Sequence, residues 1–334
     1  MLSRIRKAWT YSKIRGVELK ISAKEFLANS RFKKSAIRAY YENNMLLTAH
    51  RIEKGLGLRN TEPGHSKDVT MQLIELLFGY IGRGYEIEAY AFRESFAVVE
   101  AYVKYQKSFG EENWSKMSDI NRKFTVLCDS LGDDFICSNH ELIAAGSRQY
   151  TYDQLMEGTQ FDFDHFIKTR HSMRMYQKKV VHQDLIARSI EIANKAPSAC
   201  NRQPQMVYFA NKPDIVEMID SLITGSSGFK NQTPNYLILT TDRARFLKDE
   251  QYQWYINGGI YLAYLTLALH SLGIGSCIMQ WKAFYKTENQ LKALTGISKH
   301  QAIIAIIGCG FYAEEGSSCI CAQRKAIDET LKVL

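Results

Sequence analysis

The sequence has few residues that break regular structure, with 5 prolines and no low-complexity tract among its 334 residues. A composition that is 46% hydrophobic and 23% charged excludes a disordered or fibrous chain and favours a globular protein with room for two domains. The 7 cysteines are an odd number and include no CxxC pair. This excludes a complete disulfide framework and a structural zinc site, and it favours a reducing, cytoplasmic location.

The excess of positive charge is confined to the first 60 residues. Of the 43 Lys and Arg and 35 Asp and Glu in the chain, that segment holds 14 and 4, and the remainder holds 29 and 31. A surplus in one short segment argues against a nucleic-acid partner. Residues 1–16 set Leu2, Trp9 and Ile14 among basic residues, which predicts weak contact with the inner membrane face. A solvated basic face is the alternative interpretation.

Charged residues are missing from residues 251–281, so a membrane span has to be considered. Polar and small residues interrupt this stretch and leave only 260–269 as an uninterrupted apolar centre, which is too short to cross a bilayer of about 30 Å. We therefore predict a helix that is buried in a core or at a subunit interface and ends at Gly273. A strand from Ser276 to Met279 follows it.

The two halves of the chain differ in their hydrophobic pattern. Residues 1–160 contain one proline and apolar sets at helical spacing, as in 71–81, whereas the second half alternates helical and β-rich runs. The predicted strands are Gln205–Ala210, Asn235–Thr241 and Ala302–Gly308, and the helices between them are Asp184–Lys195, Pro213–Leu222 and Asn257–Leu272. The predicted fold class is α+β, with a helical N-terminal region at 1–160 and a domain at 161–334 whose central sheet is flanked by helices.

Several common catalytic motifs are also missing. There is no GxGxxG, Walker A, HExxH or GxSxG, so the usual dinucleotide, P-loop, zincin and serine-hydrolase signatures are excluded. Two polar strings remain. If extended, the first would place Arg170, Ser172 and Arg174 on one side, where guanidinium groups bind oxyanions. The second, 196–205, offers short hydrogen-bonding groups between prolines, suited to a heteroaromatic edge. An exposed basic turn and a helix-ending loop are the alternatives.

These two strings, RHSMR at 170–174 and PSACNRQP at 197–204, together resemble the FMN-dependent nitroreductase family. The resemblance covers about residues 165–334 and continues through HSLGIGSCIMQW, AIIAIIGCG and the late basic pair in CAQRKAIDETL. It implies a nitroreductase-like fold and a homodimer with two FMN sites at the subunit interface. The cofactor-binding residues that it implies are Arg170, His171, Ser172, Arg174, Pro197, Ser198, Ala199, Asn201, Gln203, Gln280, Trp281 and Arg324.

The resemblance also implies a role for each of these groups. Residues 170–172 and Arg324 correspond to the phosphate-binding residues, and Arg174 to a basic residue at the flavin pyrimidine edge. Residues 197–203 of the partner chain would line the isoalloxazine, and 279–281 would pack along it. The implied activity is hydride transfer from NADH or NADPH through flavin N5 to a small-molecule electron acceptor. No catalytic side chain is expected, since the flavin does the chemistry.

Four positions depart from the family pattern. Cys200 replaces a small, glycine-like residue, Gln205 a frequent aromatic, Trp281 a frequent glycine and Ala326 a proline. A tryptophan beside the flavin would restrict the substrate. It favours an alternative function, a flavin-binding or interaction protein with no NAD(P)H turnover. Cys200 is either a redox-active thiol or a small apolar residue.

The string TAHRIEKGL at 48–56 predicts a helix that is ended by Gly55. It resembles a helical extension found on some nitroreductase-like proteins associated with surface-polysaccharide synthesis. That resemblance implies a sugar-related or carrier-bound substrate, and a purely structural helix is the alternative.

Overall fold

The computed structural model describes residues 34–334 except 57–61, 148–160, 224, 227–228, 248–249, 251, 282–284, 315–318, 320–323 and 325. The described residues form two compact units. The first takes those within Met1–Gln160, Ser198–Pro204 and Asp242–Trp254, and the second takes Phe161–Pro197, Gln205–Thr241 and Tyr255–Leu334. The helical unit therefore includes two segments from beyond residue 160. The basic stretch 1–16 lies outside the described residues, and its interpretation stays a prediction.

The first unit is helical, as its apolar spacing predicts. Its helices are α1 (Lys34–Leu56), α2 (Lys67–Ile81), α3 (Tyr90–Lys107), α4 (Glu111–Ser115), α5 (Ser118–Leu131) and α6 (Asp133–Leu142). Helices α1, α2 and α3 pack on one another, and α5 packs on α2. Leu73, Leu77, Phe92 and Phe96 are fully buried in the shared core. Burial of this apolar face, more than helix propensity, stabilises the helices.

Two details of this unit differ from the sequence prediction. Helix α1 continues through Gly55 to Leu56. Gly55 allows the His65 side chain to approach the helix closely, because a Cβ added at position 55 would lie 2.7 Å from Cδ2 of His65. The sequence analysis also predicted no separate helix at 111–115, where the structure has the short helix α4; its first residues Glu111 and Glu112 are acidic and suit a helix N-terminus.

The second unit contains a four-stranded sheet and the helices around it. In chain order its elements are α7 (Phe163–Thr169), α8 (Gln183–Ala193), β1 (Gln205–Ala210), α9 (Pro213–Leu222), β2 (Asn235–Asp242), α10 (Gln253–Ser271), β3 (Ile274–Met279), α11 (Tyr285–Thr295) and β4 (Gln301–Phe311). The strand order is β1-β2-β4-β3, with β3 at an edge. Strands β1 and β2 are antiparallel, as are β3 and β4. The predicted α+β class with a central sheet is confirmed.

Apolar cores cover both faces of the sheet. Along β2, Leu237 and Leu239 belong to the core shared with α8 and α10. Tyr236 and Ile238 belong to the core shared with α9 and α11. Successive strand residues point to opposite faces, so a strand covered on both sides is apolar at nearly every position.

Helix α10 lies within the uncharged stretch 251–281 that the sequence analysis weighed as a membrane span. Tyr261, Leu265 and Leu269 pack one side of it against the sheet. Among the helices that the structure describes, none combines the length and the hydrophobicity needed to cross a bilayer. The helix ends two residues before Gly273, which adopts a positive φ of 72°.

Truncation of Leu77 tests the core of the helical unit. The side chain is fully buried, so Leu77→Ala should lower the free energy of unfolding by about 2–5 kcal/mol through lost apolar contact and a residual cavity. Urea titration followed by circular dichroism measures this change. The control is Val126→Ala, because Val126 is 52% exposed and its truncation should cost less than about 0.5 kcal/mol. Equal losses in the two variants would contradict the assigned core.

Candidate functional site

The segment that follows α7 is fixed on the edge strand β3. Ser172 pairs with Ser276 in a parallel bridge, and the Met173 N–H donates to the Ser276 carbonyl oxygen at 2.9 Å. Tyr176 pairs with Tyr312 in an antiparallel bridge. Attachment at these two points holds the segment along the sheet, in the extended course that the sequence analysis considered as one possibility.

Met173 is the residue of this segment that faces the protein interior. It is 4% exposed and lies against Gly275, where an added Cβ would be 2.9 Å from Met173 Cγ. A glycine in β3 therefore permits the close approach of the segment. Ser172 is exposed and Arg174 half-buried, and Arg174 Nη1 donates to the Ser172 carbonyl oxygen at 3.2 Å.

Positive charge is concentrated along the same segment. Residues 170–174 include two arginines and a histidine but no acidic side chain. Burial raises the pKa of Cys277, and the charges of both Arg170 and Arg174 oppose that rise, which places both guanidinium groups within electrostatic range of this thiol. Guanidinium groups beside a serine hydroxyl are a donor set that suits a phosphate.

A histidine that the sequence analysis did not select lies beside these cations. His270, near the end of α10, has Nδ1 at 2.7 Å from Tyr312 Oη and Nε2 at 3.1 Å from Thr169 Oγ1. Burial lowers the pKa of His270, a backbone hydrogen bond at Phe166 opposes this, and the charges of Arg170 and His171 lower the pKa further, which favours the neutral imidazole. The sequence feature that could have pointed to His270 is a single histidine in a helix that contains no Asp, Glu, Lys or Arg.

The second unit contains four further predicted site residues: Pro197, Gln280, Trp281 and Arg324. Gln280 is exposed, and its backbone nitrogen would lie 2.5 Å from a Cβ added to Gly225. Trp281 is half-buried against the core that contains Leu291, and its indole N–H has no hydrogen-bond partner in the described part of the chain. Pro197 and Arg324 are exposed.

The second polar string forms a strained loop in the helical unit. Cys200, Asn201 and Gln203 have φ of 51°, 50° and 46°, in the left-handed region. This conformation costs an L-residue about 1–2 kcal/mol, a cost that glycine would not have at these positions. Within the loop, the Gln203 N–H donates to Ser198 Oγ at 3.1 Å. Ser198 and Ala199 are half-buried, whereas Asn201 and Gln203 are exposed.

Arg202 anchors this loop to the helical unit. Its side chain is 1% exposed and forms a two-pronged ion pair with Glu250, at 2.8 Å and 2.6 Å. It also donates to Asn43 Oδ1 of α1 at 3.0 Å, and to the carbonyl oxygens of Arg245 and Ala199. Burial raises the pKa of Glu250, but the hydrogen bonds from Arg202 and the Leu247 N–H outweigh it and leave that pKa below its ordinary value.

Two carboxyl groups of the helical unit lie close to this loop. Glu94 on α3 is 9% exposed, and burial, assisted by the charge of Glu53, raises its pKa to about 7. Burial also raises the pKa of Glu53, which accepts a hydrogen bond from the Gly146 N–H at 3.2 Å. Both carboxylates act on Tyr90, whose hydroxyl contacts Asn201 and Gln203. None of these acidic residues follows a sequence motif.

Comparison with known proteins identifies the class of the second half of the chain. Residues 167–256 match the model of the Nitroreductase family. An NADH dehydrogenase/NAD(P)H nitroreductase from Methanothermobacter thermautotrophicus is 28% identical over 151 residues, which cover 44% of this chain and 76% of that protein. An NADH dehydrogenase from Thermus thermophilus is 27% identical over 180 residues, which cover 44% of this chain and 85% of that protein.

Solved structures are similar over the same half. An FMN-dependent nitroreductase from Clostridium difficile has a TM-score of 0.40 at 20% identity, and the alignment covers 47% of this chain and 91% of that chain. The predicted resemblance to the nitroreductase family is confirmed for residues 167–256, which match the model of that family.

The pKa of Glu94 predicts a pH-dependent stability. Its ordinary pKa is 4.5 and its folded pKa is about 7, so between these values the folded state retains a proton that the unfolded state releases. Stability attributable to Glu94 is therefore lost as the pH rises from about 4.5 to about 7. Glu94→Gln should lose less stability than wild type over this range and should be the more stable protein at pH 8.

Thermal unfolding between pH 4 and pH 8 measures this difference. Glu112→Gln is the matched control, because it removes a carboxyl group whose side chain is 90% exposed. A Glu94→Gln profile that is parallel to that of wild type would show that the Glu94 carboxyl does not titrate in this range.

Proposed function

We propose that this protein is an FMN-dependent oxidoreductase that takes hydride from NADH or NADPH and passes it to a small-molecule electron acceptor. The main support is the segment 170–174, which lies within the family match and brings two guanidinium groups beside a serine hydroxyl on the edge strand. The names of the two relatives, NADH dehydrogenase and NAD(P)H nitroreductase, agree with this reaction class.

The chemistry of the donor set fits FMN. We assign Arg170, His171 and Ser172 to the phosphate and nearby ribityl oxygens, with help from Arg324, because cationic and hydroxyl donors suit a dianion. Arg174 is assigned to the pyrimidine edge, where a cation stabilises negative charge on the reduced ring. When bound, FMN supplies hydride transfer at N5, so the chain has only to bind and orient it.

The remaining assigned residues come from the loop and from the end of β3. Asn201 and Gln203 present exposed amide groups, which suit the polar edge of a heteroaromatic ring. Residues assigned to the isoalloxazine from the partner chain are Pro197, Ser198, Ala199, Asn201 and Gln203, and those assigned along the ring are Gln280 and Trp281.

We further propose that the protein acts as a homodimer through the outer face of α10. Tyr255, Ile256, Ile260 and Tyr264 are exposed there, between 36% and 52%. A helix with large apolar side chains on both sides needs a second apolar surface, because exposed patches of this kind mark interfaces. A second copy of the same face would supply it.

We also propose a cellular location and a substrate class. Within the described residues, Cys128, Cys137, Cys200, Cys277 and Cys309 form no disulfide, which agrees with a reducing, cytoplasmic location. A sugar-related or carrier-bound acceptor rests on the resemblance of 48–56, a stretch that lies within α1.

The absorption spectrum of the purified protein tests the proposed function. A flavin band that is bleached by NADH or NADPH without oxygen is the expected result. A flavin band that neither reductant bleaches would instead support a flavin-binding protein without turnover. A protein that shows no flavin band after incubation with FMN would refute both.

Removal of Arg170 should weaken FMN binding. A charge-assisted hydrogen bond contributes about 1.5–3 kcal/mol, so Arg170→Ala should raise the FMN dissociation constant about tenfold to 150-fold. Quenching of flavin fluorescence measures this constant. Lys178→Ala removes an exposed cation of the same segment and should leave it unchanged. An equal effect of both substitutions would exclude a specific phosphate contact by Arg170.

A charge on the outer face of α10 should separate the subunits. Ile256 is 52% exposed, so Ile256→Asp should be tolerated by the fold and should disfavour burial of this face against a second copy. Sedimentation velocity should show a dimer for wild type and a monomer for the variant. Val126→Asp, on α5, provides an exposed control that should stay dimeric. A wild-type monomer would contradict the proposed dimer.

A further inference from the structure

The helices α1 to α6 lie outside the family match, which begins at residue 167. The helical unit also contains the loop 198–204, which holds four of the residues assigned here to the flavin. Three residues of that loop have positive φ, so surrounding contacts must maintain its shape. Arg202 fixes the backbone through Asn43, Glu250 and the Arg245 carbonyl oxygen.

A separate contact orients the side chains of the loop. Tyr90, the first residue of α3, accepts a hydrogen bond from Gln203 Nε2 at 2.6 Å and a longer one from Asn201 Nδ2 at 3.4 Å. Gln203 Nε2 also lies 3.2 Å from Asn201 Oδ1. One phenol oxygen therefore determines the orientation of both amide groups, and each amide is left with groups that can bind a ligand.

The surroundings of Tyr90 keep its hydroxyl neutral. Burial raises the pKa of Tyr90, the carboxyl groups of Glu94 and Glu53 raise it further, and the two amide donors oppose the rise. The oxygen therefore keeps its proton while its lone pairs accept from the amides. Tyr90 is 37% exposed, and both amide residues are exposed, so the cluster is accessible to a ligand.

We propose that Tyr90 is a positioning residue for the flavin ring and acts through the amide groups that it contacts. Tyr90 fixes the amide groups of Asn201 and Gln203, and Arg202 fixes the backbone between them. The identity of the ligand rests on the proposed function. The dependence of the loop on Tyr90 does not, because it follows from contacts within the helical unit.

Tyr90→Phe tests this proposal in the full-length protein, since it removes one oxygen and retains the ring. Hydrogen–deuterium exchange of residues 198–204 should become at least about threefold faster as the loop loses an anchor. The FMN dissociation constant should rise about tenfold, as expected for one lost hydrogen bond. The midpoint potential of bound FMN should shift as well. Tyr105→Phe is the matched control on the same helix and should change none of these values.

The outcomes separate this proposal from the proposed function. Loop exchange and flavin potential that match the Tyr105→Phe control would overturn the positioning role. Faster exchange with an unchanged potential would overturn it too, because Tyr90 would then stabilise the loop without influencing the flavin. If wild type binds no FMN, the proposed function fails and the role at a flavin fails with it, while the exchange data still show whether Tyr90 holds the loop.

Discussion

The buried guanidinium of Arg202 is the interaction on which the candidate site most depends. A buried charge that loses its partner destabilises a protein by about 3–5 kcal/mol, so Arg202 requires Glu250 and the other acceptors that surround it. The hydrogen bonds of Arg202 fix the position of the loop, in which the adjacent residues Asn201 and Gln203 have unfavourable φ values. The unfavourable backbone conformation is confined to this loop. Contacts of Arg202 with the rest of the helical unit offset its free-energy cost. This is why 198–204 groups with the helices, although it lies between α8 and β1 in sequence.

The cationic segment of the second unit is held by a different device. Backbone pairing holds this segment in place. Ser172 and Tyr176 are bridged to the sheet, and the absence of a side chain at Gly275 leaves space for Met173. The side chains that would contact a ligand are therefore not needed to hold the segment in place. Arg170 and Arg174 increase the positive potential near Cys277, and His270 stays neutral beside them. Such an arrangement favours an anion without placing a carboxylate in competition for it.

The two attachments depend on different groups. The cationic segment is held by its backbone, whereas the loop depends on side chains from α1, α3 and the region after β2. The stability of the helical unit is therefore coupled to the geometry of the loop. The raised pKa of Glu94 places a titrating group in the same unit, close to Tyr90.

The sequence by itself determined the fold class, the strand β1 and the helix α9 to the residue, because these depend on local periodicity and on proline and glycine. It also identified the two polar strings, since their residue types and order are local features. Only the tertiary structure decided that Arg202 is buried and that Tyr90 contacts Gln203. In sequence, Arg202 is an unremarkable residue between two polar ones, and its partners Asn43 and Glu250 are far from it along the chain. No local pattern encodes such long-range pairing, because burial and hydrogen bonding are properties of the packed molecule.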